Sequence, residues 1–185
     1  DATAELLLGL AEFLSVEYDA ELIEATEKLS LGILTMQLPD SHEYAGAFLS
    51  WKDIWHGWGN SQMQALARIY PIMSNEQFLK AIKKEANSFA SRIVVQGRIR
   101  EIDLNSGIKS FPQIAYSIRC QAVGLLKLYE ITKDERYAIL AGIVASWLTG
   151  NNLANTPMYD SKTGKVYDGI NDYPVSYTHL TLPTN

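Results

Sequence analysis

Between Trp51 and Asn60 the chain reads WKDIWHGWGN, with three of its four tryptophans inside eight residues beside Asp53, His56 and Asn60. An indole offers a flat apolar face and one N–H donor at its edge. That pairing suits a pyranose, whose axial C–H patches stack on a ring while its hydroxyls take directed hydrogen bonds. Asp53 is the first candidate for direct chemistry, and two influences on it oppose each other. Indole burial raises a carboxyl pKa, whereas the start of the helix that follows lowers it. In the first case Asp53 donates a proton to a glycosidic oxygen; in the second it is a base or a hydroxyl anchor. Glycoside hydrolysis calls for a second carboxylate facing the first, and Glu101, Asp103, Asp160 and Asp168 are the candidates. Saccharide contacts are expected from Trp51, Trp55, His56, Trp58 and Asn60, and further along from Asn151, Asn152, Tyr159, Asp160 and Asp168. Each has a plainer alternative. The tryptophans could be core, and Asp53 could cap the turn. Glu101 is by default a solvent-exposed structural residue. Asp103 to Gly107 (DLNSG) reads better as a turn in which Asp103 bonds its own backbone.

Other chemistries have weaker footing. His42, His56 and His179 lie far apart without zinc-ligand spacing, and neither a Gly-rich phosphate loop nor a Gly-x-Ser-x-Gly elbow occurs. A cofactor-free, metal-free site is therefore expected. A net charge of −5 argues against nucleic acid or an anionic membrane as partner. No apolar run reaches the roughly 18 residues of a transmembrane helix. Cys120, the single cysteine, excludes an intrachain disulfide and reads as a small buried hydrophobe. The compartment is left open, with the cytoplasm as default.

The elements that position these residues read as paired helices. Residues 2–16 carry apolar side chains at Leu6, Leu10, Phe13 and Leu14, one face of a 3.6-residue period, and residues 19–34 do so at Leu22, Ala25, Leu29 and Ile33. Two further pairs follow, residues 61–73 with 75–95 and 116–132 with 134–150. The pairs resemble one another. Gly9 to Leu14, Ala65 to Tyr70 and Gly124 to Tyr129 align, at offsets of 56 (Gly9 to Ala65) and 59 (Ala65 to Gly124). The same offsets bring Asp19, Asn75 and Asp134 into register as caps of the second helix. Short turns within pairs and long connections between them place every long connection at one end of the molecule. Near the C-terminus, Met158-Tyr159 and Val166-Tyr167 flank a polar turn and predict a small β-hairpin with Gly164 at a positive-φ position. Gly150 reads as the stop of the preceding helix.

Helical hairpins of about 55 residues with long loops on one face resemble the six-hairpin glycosidase superfamily, the (α/α)6 toroid. The distinctive segments are residues 145–170, ASWLTGNNLANTPMYDSKTGKVYDGI, and residues 58–70, WGNSQMQALARIY. They are similar to parts of toroid domains in prokaryotic carbohydrate-active proteins, some of them joined to glycosyltransferases. The resemblance implies an all-α, incomplete toroid of about three antiparallel hairpins over residues 1–174, with residues 2–16, 61–72 and 116–131 as inner helices. About half of a six-hairpin ring is then absent. It also implies a carbohydrate-active domain that binds or hydrolyses a glycan at the loop face. Two alternatives stand beside it: a non-catalytic domain that holds a glycan for a linked glycosyltransferase, and a plain helical-repeat scaffold. The ending VSYTHLTLPTN, residues 175–185, is similar to translated sequencing-adapter DNA and is read as a foreign tail, so His179 carries no function.

Overall fold

A computed structural model of the chain describes residues 2–96, 98–172 and 176–177. Three antiparallel helical hairpins follow one another along it. The first joins α1 (Ala2–Leu14) to α2 (Ala20–Leu34), and the second joins α3 (Gln62–Met73) to α4 (Glu76–Lys84). From α4 the chain continues through a π-helical segment, Glu85–Ala90, into α5 (Ser91–Gln96). The third joins α6 (Ala115–Thr132) to α7 (Glu135–Ala145), which tightens into a 3-10 turn at Ser146–Thr149 and stops at Gly150, φ +112.

The expected caps are formed. Asp19 accepts the Leu22 N–H at 3.0 Å, Asn75 that of Gln77 at 3.0 Å and Asp134 that of Arg136 at 3.1 Å. The second and third hairpins turn at equivalent left-handed residues, Ser74 and Lys133, whose N–H groups reach the carbonyls of Tyr70 and Tyr129. These tyrosines are the ones the repeat aligns.

Helix α3 packs against α1 on one side and α6 on the other, while α2, α4–α5 and α7 lie outside. The inner layer is therefore α1, α3 and α6. Its core includes Ala4, Leu7 and Ala11 of α1, Leu66 and Ile69 of α3, and Ile118, Leu125 and Leu128 of α6. Gly124 lets α6 approach α3 closely, since a Cβ there would stand 3.2 Å from Met63 Sδ and 3.3 Å from the Gln64 nitrogen.

The long connections are more regular than the sequence suggested. Strands β1 (Ile54–His56), β2 (Glu101–Asp103) and β3 (Gly107–Lys109) form one antiparallel sheet. Strands β4 (Gln113–Ile114), β5 (Gly169–Ile170) and β6 (Ser176–Tyr177) form another. Strands of two or three residues are too short to show alternation, and their partners lie in other connections, so the sequence pattern could not display them. The C-terminal hairpin is present as a single bridge, Tyr159 to Val166, with Gly164 at φ +73. Of the segment read as a foreign tail, only the backbone of Ser176 and Tyr177 is described; Val175, His179 and the rest lie outside the described residues. No helix among the described residues is long and apolar enough to cross a membrane.

Candidate functional site at the loop face

Alternation across β1 and β2 divides the WKDIWHGWGN stretch between two faces. Trp55 and Ile102, opposite each other in register, turn inward. Trp55 is 1% exposed and meets Phe89 edge-on at 5.0 Å, within a second core of Leu38, Ala47, Phe89, Ile93 and Ile102. This corrects the expectation that Trp55 contacts a sugar: its ring fills the gap between the first connection and the second hairpin.

His56 faces the other way, opposite Glu101, which pairs with Lys109 on β3. The imidazole lies 4.8 Å from the Trp58 ring, and the Arg100 guanidinium stands 5.0 Å from the same indole. Burial lowers the His56 pKa from its ordinary 6.5, with the Glu101 carboxylate partly opposing the shift, so the ring is neutral at pH 7. The loop is held from several sides. Ser50 Oγ accepts the His56 N–H at 3.3 Å and donates to the Gly59 carbonyl at 3.1 Å, while the Gly57 N–H reaches the Arg100 carbonyl at 2.7 Å. The 3-10 turn Gly57–Gly59 then sits on the first turn of α6, where a Cβ on Gly57 would meet Ser117 Oγ at 2.7 Å. Asp168 reaches the same helix start, its carbonyl accepting the Ala115 N–H at 2.9 Å. Beneath lie buried amides on the inner helices and, at Asn60, just before α3. Asn60 Oδ1 and the Oε1 atoms of Gln62, Gln64 and Gln121 are buried without a hydrogen-bond partner among the described residues. Tyr116 Oη donates to Glu5 Oε1 at 3.1 Å, with Arg119 stacked 5.2 Å from its ring, which ties α6 to α1.

The structure thus brings His56, Trp58, Asn60 and Asp168 to the N-terminal ends of α3 and α6. The other expected residues lie elsewhere. Asp53 is exposed in the tight turn between Trp51 and Ile54, accepting from Asn105 Nδ2 at 3.3 Å. The premise that indoles bury its carboxyl fails. Three residues of strand, about 10 Å at roughly 3.3 Å each, separate it from the His56–Glu101 pair, so Asp53 and Glu101 stand at opposite ends of the ladder. Asp103 forms the turn suggested for it, taking the N–H groups of Asn105 and Ser106 and the Ser106 hydroxyl. That hydroxyl bond is the main reason its pKa falls below the usual value. Asp160 likewise closes the C-terminal hairpin turn through Thr163 and Lys162. Trp51 is 64% exposed over a 530 Å³ cavity that Gln62 also lines. Asn151 and Asn152 line a separate 480 Å³ cavity, and Tyr159 is exposed.

Sequence reading missed Arg100, Lys109 and Ser117, and the inner-face residues Glu5, Tyr116 and Arg119. Arg100 and Lys109 become visible only through strand register, Ser117 only through the packing of the Gly57 turn on α6, and the others needed the helix faces to be assigned.

No family model matches the chain, and no curated protein is similar to it in sequence. Solved structures are similar. A cellobiose 2-epimerase from Bacillus thermoamylovorans is 14% identical, with a TM-score of 0.71 over 96% of this chain and 46% of that one. A GH76 alpha-mannanase from Bacteroides thetaiotaomicron is 20% identical, with a TM-score of 0.71 over 96% and 49%. A D-mannose isomerase is 14% identical, with a TM-score of 0.67 over 91% and 47%. The chain spans about half the length of the structures it matches. All three are six-hairpin toroids, so the fold of this chain is that of three consecutive hairpins of an (α/α)6 toroid.

Proposed function

We propose that the loop face is one wall of a saccharide-binding cleft, with His56 as the group that exchanges a proton with the bound sugar. The observation that carries this is the arrangement around His56: a neutral, half-buried imidazole beside an aromatic face, Trp58, and opposite a carboxylate, Glu101. A neutral imidazole at pH 7 is a competent general base. Taking the proton from the carbon next to a sugar's carbonyl breaks that C–H bond, and the electron pair moves to the carbonyl oxygen as an enediolate. Return of the proton to either face, or to the neighbouring carbon, gives an epimer or an isomer. Epimerases and an isomerase of sugars are among the proteins with this fold. Two-carboxylate hydrolysis finds less support, because Asp53 stands in solvent away from Glu101.

A glycan-holding role is the second reading, favoured by the exposed Trp51 ring over its cavity. No observation favours a linked glycosyltransferase.

The test is titration of the chain with cellobiose and with mannose, following the Trp58 indole and His56 ring resonances. Saturable shifts are expected, weakened on the order of tenfold by Trp58→Ala. Incubation in D2O should place deuterium beside the sugar carbonyl, and His56→Gln should stop it. Binding without exchange leaves the glycan-holding reading. Absence of binding, or full binding by Trp58→Ala, refutes the site.

A further inference from the structure

The 480 Å³ cavity between the second and third hairpins, lined by Arg98, Ser110, Phe111, Gln113, Trp147 and Asn151 among others, belongs to none of the chemistry above. Its volume is that of a small-molecule pocket. Its distinguishing group is Arg98. The guanidinium is largely withdrawn from water, yet no carboxylate among the described residues forms an ion pair with it, and burial alone depresses its pKa. Its acceptors are neutral and distant: Ile93 O from Nη1 at 3.4 Å, and Ile143 O and Val144 O from Nη2 at 3.4 and 3.5 Å. Nε–H is buried with no acceptor among the described residues. Those carbonyls belong to the last turns of α5 and α7, whose dipoles favour a cation and fix the guanidinium in place. They do not neutralise it. A partly buried cation without a counter-ion is costly, and a guanidinium has donors to spare beyond three long contacts.

We infer that this cavity is a binding site for a small sugar acid, whose single carboxylate pairs with the Nη edge of Arg98. One positive charge matches one carboxylate, while a phosphate dianion would be left half-compensated. The remaining wall suits a sugar body. Phe111 supplies an apolar face, and Ser110 is an exposed hydroxyl. Asn151 spends its Nδ2 on Ser146 Oγ at 2.9 Å, and its Oδ1 has no hydrogen bond among the described residues. The site is built rather than incidental. Gln113 is buried, donating to the Arg98 carbonyl at 2.9 Å and accepting the Trp147 indole N–H at 3.0 Å, so it couples the arginine to the cavity floor. This inference does not depend on His56.

The Trp147 indole N–H is the reporter, read by NMR in labelled protein. Sodium glucuronate should shift it saturably, and glucose should bind weaker on the order of tenfold, the worth of one charge-assisted bond. Arg98→Gln should abolish the shift. Because that change also removes a helix clamp, Leu153→Trp provides an independent variant that fills the cavity with Arg98 intact and should likewise block glucuronate. His56→Gln should leave glucuronate binding unchanged. Absence of a shift, equal binding of glucose, displacement of glucuronate by equimolar phosphate, or unimpaired binding by Leu153→Trp would each overturn the inference.

Discussion

Replacement of Gly46 by alanine tests how the first long connection is anchored. Gly46 has φ +88, and a Cβ there would stand 2.8 Å from the Lys84 carbonyl oxygen, 3.1 Å from its carbon and 3.2 Å from Glu85 Cα. These are backbone atoms at the junction of α4 with the π-helical segment, so they cannot swing aside as a side chain would. The connection is clamped here as well. Gln37 Nε2 donates to the Gly46 carbonyl at 3.0 Å and to the Ala81 carbonyl at 2.8 Å. Positive φ costs an alanine about 1–2 kcal/mol, and overpacking against a rigid neighbour about 1–3 kcal/mol more. The expected loss is therefore about 2–5 kcal/mol, a large part of the roughly 5–15 kcal/mol of a typical domain. Gly164→Ala is the comparison: its φ is +73, but nothing lies within 4 Å of the added Cβ, so only the strain remains. Urea unfolding followed by far-UV circular dichroism at one protein concentration measures both, with the slope checked for constancy. Equal losses in the two variants would refute the claim that backbone contact, rather than backbone strain, dominates at Gly46.

Four further outcomes are expected. Burial lowers the His56 pKa below 6.5 against the opposing Glu101 carboxylate, so the unfolded chain binds the proton first as pH falls. The resulting stability is complete above that value and is lost down to the folded pKa. His56→Gln should flatten the pH dependence in that window, as thermal melts between about pH 7 and 5 would show. Glu85 has the opposite linkage: burial raises its pKa well above 4.5, so the unfolded chain releases the proton first as pH rises. Glu85→Gln should raise the melting temperature at about pH 7 and change little at about pH 4. Trp147→Phe removes the donor to Gln113 and leaves a buried acceptor unpaired, so denaturant titration should show a loss of about 1–3 kcal/mol. Cys120 is buried with its thiol pushed up to about 11, chiefly by desolvation, so a thiol reagent should label it only at the rate of unfolding. Rapid labelling of the native chain would contradict that burial.

The helices were legible because they are amphipathic and locally capped. Asp19, Asn75 and Asp134 announced their roles within three residues of the groups they bond. Gly150 and Gly164 were legible for a similar reason, since a positive φ is a local demand that glycine meets without strain. The candidate site was only partly so. That aromatic and polar groups gather at one end followed from loop lengths, but their division followed from strand register. Trp55 and His56 are neighbours in sequence and lie on opposite faces, a consequence of pairing with β2 that no local pattern announces. Asp53 illustrates the same limit: two indoles flank it in sequence, yet its turn projects it into solvent.

The pairing of β1 with β2 also has a kinetic consequence. Each helical hairpin closes over a turn of a few residues and can form early, whereas Ile54 and Asp103 pair across the whole second hairpin, which lies between them in the chain. Contacts so distant along the chain form late, because the loop entropy must be overcome before they contribute. His56 is therefore expected to acquire its carboxylate neighbour late in folding. Strand β3, at the edge of the sheet with all three residues exposed, is expected to be among the first to open in the native state. Amide exchange at β3 should accordingly run ahead of that in α3 and α6. The lysine that pairs with Glu101 is then presented by the least anchored strand of the sheet, above a helical layer that hardly takes part.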